Sequence, residues 1–208
     1  MNSEHNNKVE LLGFYGSDET HAASAWCSTV RDITPERRAR IPEFLKMLAE
    51  NGHHTPMEKS MQHFLITADV ATHIHIIKHR IAVSVNTESA RYKELQEDKL
   101  YVPQDWPLGE QMRYLEWAQE AQKQYHDALC RLEPVLGRKR AKESARYYQP
   151  YGNQVVMDTS FNWRSLMHFV GLRWTEHAQL EVREVAGKML ELMRETGAFP
   201  YSLAAFGY

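Results

Sequence analysis

Short apolar runs and helical stripes alternate along the chain, separated by turn residues. Residues 9–15 form an apolar run of strand length closed by Gly16-Ser17-Asp18. Thr34-Pro35 has the cap-then-proline order of a helix start, and Ile41, Phe44, Leu45 and Leu48 recur at helical spacing as far as Asn51-Gly52, which predicts one helix over that span. Thr55-Pro56-Met57-Glu58 has capping-box spacing and reads as another helix start. It precedes a buried strand over 64–70 and a helix over about 71–81. Beyond Pro103 and Pro107, the positions Met112, Leu115, Ala118, Tyr125, Leu129 and Leu132 trace a long amphipathic helix that Pro134 and Gly137 interrupt. A helix over 138–148 stops at Gln149-Pro150, and 153–161 reads as a strand of β-formers. The pattern then returns to helix over 162–172. Thr175 caps a last helix through Leu180, Val182, Val185, Met189 and Leu192 that ends near Gly197. No repeat or flexible linker intervenes, so one domain over 1–208 is expected.

Composition narrows the function classes. A chain of 208 residues can bury its own core, and its net charge of −2 supplies no global field for nucleic acid or an anionic membrane. Any basic site must be local. No apolar run approaches membrane-spanning length, and the first residues read as lacking a signal peptide. Cys27 and Cys130 are the only cysteines; they lie far apart, read first as packing residues, and argue for a reducing compartment, best the cytoplasm. Neither a Rossmann glycine fingerprint nor a P-loop is present.

One stretch concentrates chemistry. From Lys78 to Tyr92 the chain carries Lys78, His79, Arg80, Asn86, Ser89 and Arg91, a mixture that suits an anion beside a polar ring. Composition alone leaves a phosphate pocket and a decorated surface both open. Arg164 and His168 are four apart and share a helix face, with Arg173 at the helix end; spacing alone favours surface residues. Arg146 precedes Tyr147-Tyr148, where it could stack on a base or pack. His73, His75 and His79 lack the converging carboxylate or thiolate partners of a zinc site, so no metal is expected.

These motifs together resemble the flavin-dependent thymidylate synthases. The family signature of Arg-His-Arg, seven or eight residues, then Ser is matched by Lys78-His79-Arg80 and, after eight residues, Ser89, continuing into Arg91-Tyr92. The upstream His-x-Thr-Pro-x-Glu is matched from His53 to Glu58, and the later Asn-x-Arg-x-Leu-x-His-Phe from Asn162 to Phe169. Lys78 stands in place of the signature's first arginine and His75 where many members have glutamine.

The resemblance implies an α+β fold with a central antiparallel sheet flanked by helices, the long amphipathic one among them, assembled as a homotetramer with active sites between subunits. It implies methylation of dUMP to dTMP, with 5,10-methylenetetrahydrofolate as carbon donor and FAD, reduced by NADPH, as hydride source. By that resemblance Arg173 is the catalytic residue, stabilising charge on the uracil. His53, Thr55, Lys78, His79, Arg80, Ile81, Asn162, Arg164 and His168 are flavin contacts. His75, Lys78, Glu88, Ser89, Arg91, Arg146 and Arg173 are substrate contacts. A non-catalytic nucleotide-binding relative, or an enzyme making a different 5-substituted pyrimidine nucleotide, is the alternative.

Overall fold

The computed structural model describes residues 5–29, 32–89, 94 and 99–208. Four strands, β1 (Lys8–Tyr15), β2 (Met61–Asp69), β3 (Val83–Thr87) and β4 (Gln154–Phe161), form an antiparallel sheet in the order β1-β2-β4-β3. The helices are α1 (Asp18–Trp26), α2 (Pro35–Ala39), α3 (Ile41–Glu50), α4 (Val70–Ile76), α5 (Leu108–Leu136), α6 (Arg138–Ala145), α7 (Trp163–Arg173), α8 (Leu180–Glu195) and α9 (Pro200–Ala205). The strands show the period of two that a sheet with one covered face requires: Gln62, Phe64, Ile66 and Ala68 are buried on β2, and Met157, Thr159 and Phe161 on β4.

The chain packs as two compact units interleaved in sequence. One comprises Met1–Lys8, Ile66–Ile77 and Asn86–Met157; the other comprises Val9–Leu65, Lys78–Val85 and Asp158–Tyr208. In the first, α5 and α6 bury Tyr125, Ala128, Leu129, Ala141 and Ala145, with Leu132 against them, while Leu100, Val102 and Ala118 form a second cluster. In the other, Trp163 stacks on Phe199 at 4.6 Å, and Phe161 packs against both Phe64 and Phe169. That aromatic core also encloses His21, whose Nδ1 and Nε2 lie 2.9 Å and 2.8 Å from the hydroxyls of Ser202 and Ser60. Asp18 accepts the backbone N–H groups of Tyr201 and Ser202, fixing the start of α9 to the start of α1.

Several elements differ from the sequence expectation. The single helix expected over 34–52 is two, because Pro42 supplies no N–H to continue the bonding of the preceding turn, so α2 stops at Ala39 and Pro42 falls in the first turn of α3, where that N–H is not needed. The capping box at Thr55 does not form: Thr55–Lys59 is a 3-10 turn whose cap position is His54, with no side-chain cap bond. The helix expected over 71–81 ends at Ile76, and the one expected over 138–148 tightens into a 3-10 turn over Arg146–Tyr148. Gln179, not Thr175, precedes the last long helix, α8. Met112 of the expected apolar stripe is exposed, and Cys27 and Cys130, expected to pack, are both exposed. The apolar pattern predicts neither α1, which has a full capping box between Ser17 and Thr20, nor α9. Among the described residues no helix is long and apolar enough to cross a membrane.

Candidate functional site

Within the unit that contains α5, a cleft of about 490 Å³ is lined by polar residues from three separate stretches of chain: His73, then Thr87, Glu88 and Ser89, then Arg146 and Gln149. Val70 and Val155 add apolar wall. Arg146 is set by the 3-10 turn that ends α6, and buried Pro150 stops the helix there. Gly152, next along, must be glycine, since a Cβ would lie 1.9 Å from the Tyr114 hydroxyl. Glu88 is anchored at the cleft: its backbone N–H donates to Val156 O at 2.8 Å, and its Oε2 accepts from Val156 N at 3.3 Å and Lys99 Nζ at 3.4 Å. His73 meets the Thr87 hydroxyl at 3.1 Å, and burial pushes its pKa down, which favours the neutral imidazole.

The cleft therefore gathers three of the sequence-expected substrate residues, Glu88, Ser89 and Arg146. His75, on α4, is not among its lining residues, and Arg91 lies outside the described residues. Sequence reasoning missed His73, Thr87 and Gln149. In the sequence His73 reads only as part of a possible metal cluster, and Gln149 only as a helix stop. Among the described residues no group of three or more His, Cys, Asp or Glu is placed to hold a metal ion.

Within the other unit, the turn after α4 meets α7. Asn162 caps α7 by accepting from Ser165 N at 2.9 Å, and its own N–H donates to Ala82 O at 3.3 Å. The Ser165 hydroxyl donates to Ile81 O at 2.7 Å. Ala82 takes a left-handed conformation, φ 51°, so the 78–82 turn is held in a shape that alanine resists. These tethers bring His79 to the far end of α7, where Arg173 Nε donates to His79 Nε2 at 3.1 Å. Edge contacts with Phe169 at 4.9 Å and His168 at 6.1 Å fix the His79 ring. An imidazole that accepts at Nε2 is neutral with its proton on Nδ1, and the bond leaves the terminal nitrogens of Arg173 to meet another acceptor.

Arg164 and His168 lie exposed on one face of α7. Glu58 Oε1 holds Arg164 Nη1 at 2.6 Å, so the glutamate read as half of a capping box instead orients an arginine across 106 residues of sequence. His53, Thr55, Lys78 and Arg80 are exposed in the same unit, and Ile81 is an uncovered apolar side chain at 86 % exposure. Exposed cations and imidazoles for phosphates, with an uncovered apolar contact, make a donor set that fits a dinucleotide carrying an aromatic ring.

Residues 10–200 match the family model for the thymidylate synthase complementing protein. The chain belongs to this family. Among its relatives, a flavin-dependent thymidylate synthase of Pseudothermotoga lettingae is 30 % identical over 200 residues, spanning 93 % of this chain and 87 % of that protein. One from Streptomyces avermitilis is 29 % identical, spanning 90 % and 82 %. Among solved structures, the UMP/dUMP methylase PolB from Streptomyces cacaoi, bound with 5-Br dUMP, has a TM-score of 0.82 at 25 % identity, covering 97 % of this chain and 95 % of that one. The resemblance to flavin-dependent thymidylate synthases read from the motifs is borne out, and membership makes this chain an enzyme of the methyltransferase class.

Proposed function

We propose that the protein is a flavin-dependent thymidylate synthase, a single catalytic domain over 1–208 that methylates dUMP at carbon 5. The observation that carries this reading is the cleft that assembles Glu88, Ser89 and Arg146 from distant stretches of sequence. The Arg146 fork and the Ser89 hydroxyl suit a phosphate monoester, and anchored Glu88 offers an acceptor for the nucleotide's own donors. In this reading Arg173, oriented by His79, faces the uracil edge. A fixed cation there stabilises negative charge as it develops on the ring, without reorganisation during the reaction.

His53, Thr55, Lys78, His79, Arg80, Ile81, Asn162, Arg164 and His168 would hold FAD, the cations on its phosphates and Ile81 on its ring. The bound flavin supplies hydride chemistry, for which NADPH is the reductant, and 5,10-methylenetetrahydrofolate supplies the carbon. Neither exposed cysteine is assigned a role. The enzyme acts in the cytoplasm as a homotetramer with active sites between subunits, for which light scattering should give four times the 24.3 kDa chain mass and a stable monomer would refute the assembly.

A second reading, supported by the fold shared with the UMP/dUMP methylase, is that UMP is also methylated. Mass spectrometry of the product tests both. Incubation of dUMP with folate donor, FAD and NADPH should yield dTMP, and Arg173→Ala should lower turnover about 100-fold while leaving flavin content unchanged. Methylated UMP at a comparable rate supports the second reading, and no methylated nucleotide from either substrate sinks both.

A further inference from the structure

We infer that Gln149 is a sugar-binding residue of the nucleotide cleft, donating from its carboxamide to the 3′-hydroxyl of the bound nucleotide. The inference rests on the nucleotide reading above. Gln149 is placed with little freedom. Its backbone N–H donates to Arg146 O at 3.1 Å to close the 3-10 turn, and buried Pro150 follows it. Its Oε1 accepts from Nδ2 of Asn153, a residue itself only 6 % exposed, so the two ends of the carboxamide are distinguished.

The other end, Nε2, is buried and has no hydrogen-bond partner among the described residues, although the residue lines the cleft. Buried donors in folded proteins are nearly always satisfied, and one left open beside a cleft calls for a partner that arrives with the ligand.

The chemistry of that partner follows from the neighbours. Arg146, three residues earlier on the same wall, is the cation that suits a phosphate, and the sugar is the group bonded to that phosphate. A neutral amide N–H matches an uncharged hydroxyl oxygen, whereas an anion would draw the guanidinium. The 3′-hydroxyl is common to deoxyribose and ribose, so this contact serves dUMP and UMP alike.

Isothermal titration of the purified full chain with dUMP and with 2′,3′-dideoxyuridine monophosphate provides the test. Wild type should bind the dideoxy analogue about tenfold more weakly, and Gln149→Leu, close in volume, should bind both nucleotides alike at the weaker level. Equal binding of the two by wild type overturns the inference whether or not the variant folds, as does discrimination that persists in the variant. If wild type binds no dUMP at all, the nucleotide reading itself fails and takes this inference with it.

Discussion

His21 is an imidazole held neutral in an aromatic core. Burial pushes its pKa from the ordinary 6.5 down to about 4, and its two nitrogens are spent on Ser60 and Ser202. The unfolded chain therefore takes up a proton at this position as pH falls below 6.5, while the folded chain resists until about 4. Stability contributed by the neutral ring is fully present above pH 6.5 and is lost on acidification through that window, up to on the order of 3 kcal/mol. Chemical denaturation at pH 7 and pH 5 should show that decline, and His21→Gln should flatten it; an unchanged slope in the variant would assign the acid sensitivity to other groups. At this scale, legibility depended on sequence distance. His79, Ser89, Arg146 and Arg173 stood out because each sits in a local motif. The hydrogen bonds of His21 to Ser202 and of Arg164 to Glu58 span 181 and 106 residues, so no local pattern could announce them.

Among elements, the junction between the 78–82 turn and α7 matters most, because two bonds, from the Asn162 N–H to Ala82 O and from the Ser165 hydroxyl to Ile81 O, hold the backbone on which His79 is mounted. Asn162→Ala removes the α7 cap and should cost about 1 kcal/mol of stability. It should also weaken flavin retention, because Asn162 belongs to the proposed flavin set. Thermal melts and the flavin-to-protein absorbance ratio check both outcomes, and loss of stability with full flavin retention would reduce Asn162 to a cap. The apolar periods of β2, β4, α5, α7 and α8 were readable because each buries one face. The break at Pro42 was written in the sequence, but an apolar stripe continuing beyond it masked the stop. The α1 helix was hidden by its composition: Ala22, Ala23 and Ala25 give it little amphipathic contrast, and Gly16-Ser17-Asp18 reads as readily as a turn.

For the whole molecule, the motif order carried the family, and the family model spanning residues 10–200 agrees with it. What sequence could not deliver was the partition into two units, because their segments alternate along the chain with no linker composition at the crossings. The cleft lined by Glu88, Ser89 and Arg146 belongs wholly to one unit and the His79–Arg173 pair to the other, so each half of the proposed chemistry has its own scaffold. The claim joining them is that one protein holds a flavin and a pyrimidine nucleotide for the same reaction. The visible absorption spectrum of the purified protein, recorded with added FAD and then titrated with dUMP, tests it most directly. The account predicts bound-flavin bands that shift as dUMP saturates the protein, and a colourless protein that takes up no flavin, or flavin bands indifferent to dUMP, would contradict it.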